Sequence, residues 1–155
     1  DAELRAADRL VGDILDTLPA GAVLLITADH GQVEVGPNIV HPTRAVLDHV
    51  ALQSGEGRFR WMHAIRGAGN DLFDAATAEF GGTGWVVTRE QVIDEGWFGP
   101  TVTAASESRL GDVALLPFVP IAFSEPTDTG PYELVGRHGS LTAEEIDVPL
   151  LVSRR

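Results

Sequence analysis

Asp29 and His30 stand side by side in Thr27-Ala28-Asp29-His30-Gly31, directly after the five apolar residues 22–26. Asp offers a hard oxygen and neutral His a nitrogen, a combination suited to zinc or another first-row dication. Much later, His138 lies between glycines in Gly136-Arg137-His138-Gly139-Ser140, where backbone can approach a bound ion closely. Each also has an ordinary reading. An Asp closing a strand often only caps the next turn, and a lone histidine between glycines fits a surface loop.

The elements that would position these residues are legible from periodicity. The apolar run of 22–26 does not alternate, as in a strand buried on both faces. Asp29 and His30 therefore fall at a strand's carboxyl end, the edge where ligands bind in an open α/β sheet. Gly31 allows a sharp turn after them. Upstream, Leu4, Ala7, Val11, Ile14, Leu15 and Leu18 share one face at helical spacing, which predicts an amphipathic helix over 2–18. Pro19-Ala20-Gly21 stops it, giving a helix-strand unit of the kind that builds a parallel sheet.

After Val33 the chain breaks at Gly36-Pro37-Asn38, and residues 36–109 read as an inserted α+β lid, with 1–35 and 110–155 forming the main α/β layer. Within the lid a short helix is expected over 43–52, packing Val46, Leu47 and Val50, followed by a turn at Ser54-Gly55-Glu56-Gly57. Residues 58–65 alternate, with Phe59, Trp61, His63 and Ile65 on one face and Arg58, Arg60, Met62 and Ala64 on the other, the pattern of a half-buried strand. Leu72, Phe73, Ala76 and Phe80 mark a helix ended by Gly81-Gly82, and Trp85 to Val87 another strand. Thr88 followed by Gln91 is a capping-box pattern. Trp97-Phe98 suits packing better than substrate contact.

From Asp112 the main sheet resumes with 113–116 and 121–123, interrupted by Pro117 and Pro120, which favour edges or bends. A polar loop over 125–131 leads to the His138 segment. Thr142-x-x-Glu145 resembles a second capping box, and 148–152 reads as a last buried strand.

Composition narrows the function classes. The 155 residues, 44% hydrophobic, can fill one domain with a real core. A net charge of −12, from 23 acids against 11 bases, argues against a nucleic acid polymer or an anionic membrane as partner. A phosphate substrate would need positive charge, which bound dications supply. No cysteine is present, so disulfides, thiolate metal sites and a cysteine nucleophile are excluded. No apolar run reaches the length of a membrane span. Residues 1–20 lack a signal-peptide pattern, which leans slightly toward the cytoplasm and leaves the compartment open. The single methionine is Met62 and Asp1 already lies in a helical pattern, so the chain reads as a piece of something longer.

Thr27-Ala28-Asp29-His30-Gly31, then His138-Gly139-Ser140, Thr142-x-x-Glu145 and Val148-Pro149-Leu150-Leu151 in that order, resembles the C-terminal half of the type I phosphodiesterase/nucleotide pyrophosphatase family of the alkaline phosphatase superfamily. Arg109-Leu110-Gly111-Asp112 and Thr88-Arg89-Glu90 are similar to segments of its bacterial members. The resemblance implies an alkaline-phosphatase-like, mostly parallel sheet flanked by helices, and two zinc-type ions. It implies Asp29 and His30 on one metal and His138 on the other, with phosphodiester or nucleotide pyrophosphate substrates. The family's nucleophilic Thr or Ser and its remaining metal ligands lie in an N-terminal half that nothing here matches. No catalytic nucleophile is assigned to this chain, which is expected to be inactive without that half.

The remaining candidates have mainly structural readings. His63 suits a core or interface, His41 a turn before Pro42, His49 a helix side and Asp112 a cap; Arg44 and Arg137 are candidate phosphate contacts with solvated surface as the default. Phosphoglycerate mutase-like enzymes, sulfatases and phosphonoacetate hydrolases share the early motif and are the nearest alternatives. A non-catalytic α/β binding module is the alternative from another class.

Overall fold

The computed structural model describes residues 1–124 and 134–155, so the loop expected at 125–131 lies outside the described residues. In chain order the elements are α1 (Ala2–Thr17), β1 (Val23–Thr27), β2 (Val33–Glu34), β3 (Ile39–Val40), α2 (Arg44–Leu47), β4 (Val50–Glu56), β5 (Phe59–Ala64), α3 (Gly69–Phe80), β6 (Gly84–Thr88), α4 (Arg89–Asp94), α5 (Ala104–Glu107), β7 (Val113–Pro117), β8 (Ala122–Phe123), β9 (Gly136–Arg137), α6 (Ala143–Ile146) and β10 (Leu150–Arg154). The chain is a mixed α/β fold, as expected. It divides into two compact units, Asp1–His30 with Asp147–Arg155, and Gly31–Ile146.

The larger unit is built on an antiparallel sheet of order β4-β5-β7-β6. Its central strand β7 shows why an unalternating apolar run is needed: Val113 and Leu115 enter one core with Val46, Met62, Leu72, Ala76 and Phe80, while Ala114 and Leu116 enter another with Trp61, Val87 and Val92. Both faces are dry. α3 covers the first face through Leu72, Ala76 and Phe80, its apolar stripe at the predicted spacing. β5, α3 and β6 form a crossover into which β7 inserts, a split β-α-β arrangement. The strands expected in the lid thus share a sheet with β7, which the sequence places in the main layer, and the division into units falls at 30/31 and 146/147.

Three local expectations are corrected. The helix expected over 43–52 is the short α2, and Val50 instead opens β4. The turn expected at 54–57 moves to Gly57-Arg58, because Ser54, Gly55 and Glu56 are paired with Trp61, Arg60 and Phe59. β5 is not half-buried: Arg60 and Met62 are fully buried, and Trp61 nearly so. Among the described strands only β3 with β8 pairs in parallel, so strand directions within the chain differ from the mostly parallel expectation.

The smaller unit comprises α1 and the antiparallel pair β1 and β10, with Val23 opposite Arg154 and Thr27 opposite Leu150. α1 has no buried residue despite its amphipathic pattern. β1 and β10, both expected to be buried strands, expose Leu25 at 62% and Leu150 at 68%, with Val23, Leu151 and Val152 similarly open. The sequence is patterned for cover that the described residues of this unit do not supply. No described helix is long and apolar enough to cross a membrane.

Candidate active site

β1 ends at Thr27, and one residue later Asp29 and His30 project from its carboxyl end. The His30 main-chain N–H donates to Asp29 Oδ1 at 3.1 Å, and His30 Nε2 lies 3.7 Å from Asp29 Oδ2. The Asp29 side chain is 88% exposed and that of His30 41%. A carboxylate oxygen and an imidazole nitrogen so close together, both reachable from water, fit the donor chemistry of a divalent transition metal.

Gly31, the first residue of the larger unit, serves close approach more than turning. Its N–H donates to the Glu145 main-chain carbonyl at 2.7 Å, and a Cβ there would sit 1.9 Å from the Glu144 carbonyl oxygen. Gly31→Ala is therefore expected to destabilise the larger unit by roughly 1–3 kcal/mol, the range for forced overpacking. A urea melt would show it as a lower midpoint, and an unchanged midpoint would contradict the close approach.

His138 is half-buried in the larger unit, directly after β9, which pairs Arg137 with Val33. Gly139 follows with φ of 122°, and a Cβ on it would meet Phe59 and Glu56 at 3.4 Å. Ser140 then turns inward, its N–H donating to Glu145 Oε1 at 2.9 Å and its hydroxyl to the Pro117 carbonyl at 2.7 Å.

The structure thus brings Asp29 and His30 together, while His138 belongs to the other unit. Among the described residues no group of three or more His, Asp or Glu is placed to hold a metal ion. A catalytic zinc takes about three protein ligands, so the donors fit in kind and fall short in number.

Of the remaining sequence candidates, His63, Arg44 and Asp112 have side-chain partners. His63 Nε2 lies 2.8 Å from Ser54 Oγ, and Arg44 pairs with Asp48 across one helical turn at 3.6 Å. Asp112 fastens two elements: its Oδ2 accepts the Ala64 N–H at 2.7 Å and its Oδ1 the Arg89 guanidinium at 3.1 Å. His41 is exposed and His49 half-buried. Thr88 caps α4 by accepting the Gln91 N–H at 3.1 Å, as its sequence pattern predicts.

The group sequence reasoning missed is Arg58 with Glu145. The sequence pattern makes Glu145 half of a capping box, yet its carboxylate turns inward, accepting Arg58 Nε at 2.8 Å, Arg58 Nη2 at 2.7 Å and the Thr142 hydroxyl at 2.7 Å. Both side chains are essentially inaccessible. Burial alone would raise the Glu145 pKa, but the hydrogen bonds from Arg58, Thr142 and Ser140 and the guanidinium charge outweigh it and hold the carboxyl below its ordinary range. The only sequence signal was Arg58 sharing the parity of Met62.

No family model and no curated protein sequence matches the chain. Solved structures do. Murine ectonucleotide pyrophosphatase/phosphodiesterase 5 superposes on 95% of this chain with a TM-score of 0.71 at 15% identity, and the human protein does so with 0.71 at 16%. Phosphonoacetate hydrolase from Sinorhizobium meliloti 1021, in complex with phosphonoformate, superposes on 95% with 0.66 at 20% identity. This chain has their alkaline-phosphatase-like fold. It spans 39% of the length of each of these three chains. The alkaline-phosphatase-like likeness therefore covers nearly all of this chain and a minority of theirs.

Proposed function

We propose that this chain is one part of a metal-dependent hydrolase of phosphodiester or nucleotide pyrophosphate bonds. The carrying observation is an Asp-His pair, 3.7 Å apart, at the carboxyl end of β1 in a chain whose fold matches such hydrolases over 95% of its length. Asp29 and His30 would hold one of two zinc-type ions and His138 the other, and those ions would supply the charge that neutralises substrate phosphate. A further segment of the same protein would bring the Thr or Ser nucleophile and the missing ligands. Two observations support that division: the donors fall short in number, and α1, β1 and β10 carry apolar residues without cover in their own unit. The acidic surface suits a small substrate rather than a nucleic acid polymer.

The test compares bis-(4-nitrophenyl) phosphate hydrolysis, with added zinc, by this chain and by a version extended upstream. Activity is expected only in the extended protein. Robust turnover by the 155-residue chain alone, lost in His138→Ala, would overturn the division. A second reading, phosphonate hydrolysis, is favoured by the likeness to phosphonoacetate hydrolase. Phosphate release from phosphonoacetate exceeding phosphodiester cleavage would install it instead.

A further inference from the structure

Resting on the phosphoesterase reading, we infer that Arg58 and Glu145 are positioning residues for the candidate metal ligand His138, a role separate from filling the core. Their hydrogen bonds reach the segment that carries His138. The Glu145 carboxylate holds Ser140, two residues after His138, through the Ser140 N–H at 2.9 Å. Its main-chain carbonyl holds Gly31, the residue after His30, at 2.7 Å, and the Glu144 carbonyl holds Gln32 at 3.0 Å.

Arg58 fixes the carboxylate in turn and is itself fixed. Beyond its two bonds to Glu145, it donates to the carbonyls of Val119 at 2.9 Å, Ile121 at 2.7 Å and Pro117 at 3.1 Å. The Ser140 hydroxyl meets the same Pro117 carbonyl. His138 is therefore flanked by two anchors: the β9 pairing to β2 before it, and Ser140 on the buried carboxylate after it. Gly139 between them has a φ of 122°, a conformation that other residues rarely adopt, so the path of the loop between the two anchors depends on glycine. A guanidinium suits this work because its planar fork can satisfy a carboxylate and several carbonyls at once.

The test uses the upstream-extended protein and its Glu145→Ala, Glu145→Gln and Thr142→Val variants. Zinc affinity is read by calorimetry, Ser140 amide exchange by NMR and folding by a thermal melt. Glu145→Ala should speed Ser140 exchange and weaken zinc binding by about 10–100-fold, the range for partners that orient a ligand. Glu145→Gln keeps an acceptor for the Ser140 N–H and should recover part of that affinity. Thr142→Val removes one hydroxyl from the carboxylate and should weaken zinc modestly in a folded protein, so it carries the test if Glu145→Ala does not fold. Unchanged zinc affinity in a folded variant whose melting point alone drops overturns the inference. A wild-type extended protein that binds no zinc overturns the phosphoesterase reading, and this inference falls with it.

Discussion

Asp29→Ala in the extended protein is expected to reduce phosphodiester turnover by more than about a hundredfold at saturating zinc, with the melting temperature nearly unchanged. The size follows from position. Losing a group that only orients a metal ligand costs about 10–100-fold, and Asp29 would be a ligand itself. The unchanged stability follows from exposure: its side chain is 88% accessible, and surface replacements of that kind stay within about 0.5 kcal/mol. Steady-state kinetics beside a melt separates the two effects. A fall in activity matched by a fall in melting temperature would mean that Asp29 caps the end of β1 rather than holding an ion, the ordinary reading of an acid at a strand's end.

Arg58→Ala should have the opposite signature, a large loss of stability. Removing one member of a buried pair leaves the other uncompensated, at a cost of about 3–5 kcal/mol against a typical total of about 5–15. The pH dependence gives an independent check. Because the Glu145 pKa is lower folded than unfolded, its contribution is fully present above the unfolded range of roughly pH 4–5 and is lost as pH falls through the folded value. Urea melts from pH 7 downward should show wild-type stability declining in that acid window. Glu145→Gln, already less stable at neutral pH, should decline less across it. Parallel declines would show that the carboxylate contributes nothing through its ionisation.

What was legible in the sequence was what local pattern controls. The stripe of Leu72, Ala76 and Phe80, the unbroken apolar run of β7, the Thr88 cap and the position of Asp29 and His30 after β1 all follow from periodicity or short-range hydrogen bonding. Arg58 and Glu145 were illegible because their meaning lies in partners far away along the chain: the pair spans 87 positions, and Arg58 also needs carbonyls around residue 119. A buried arginine looks like an exposed one until its acceptors are known. The strand directions were illegible for a related reason, since an apolar run such as β7 reports burial on both faces and says nothing of which way its neighbours point. For β1 and β10 the pattern promised burial that their own unit does not provide, and the discrepancy bears more on function than a simple match would have.

The pairing of β1 with β10 also shapes how the chain is made. Thr27 cannot meet Leu150 until the stretch between them has been synthesised, an interval of roughly 6–25 s at about 5–20 residues per second. Throughout it, the edge of β1 that β10 will cover stays open, a ready template for pairing with a neighbouring copy. Biosynthesis therefore carries a hazard of aggregation at this edge, and the rate of translation bears on the yield of folded protein.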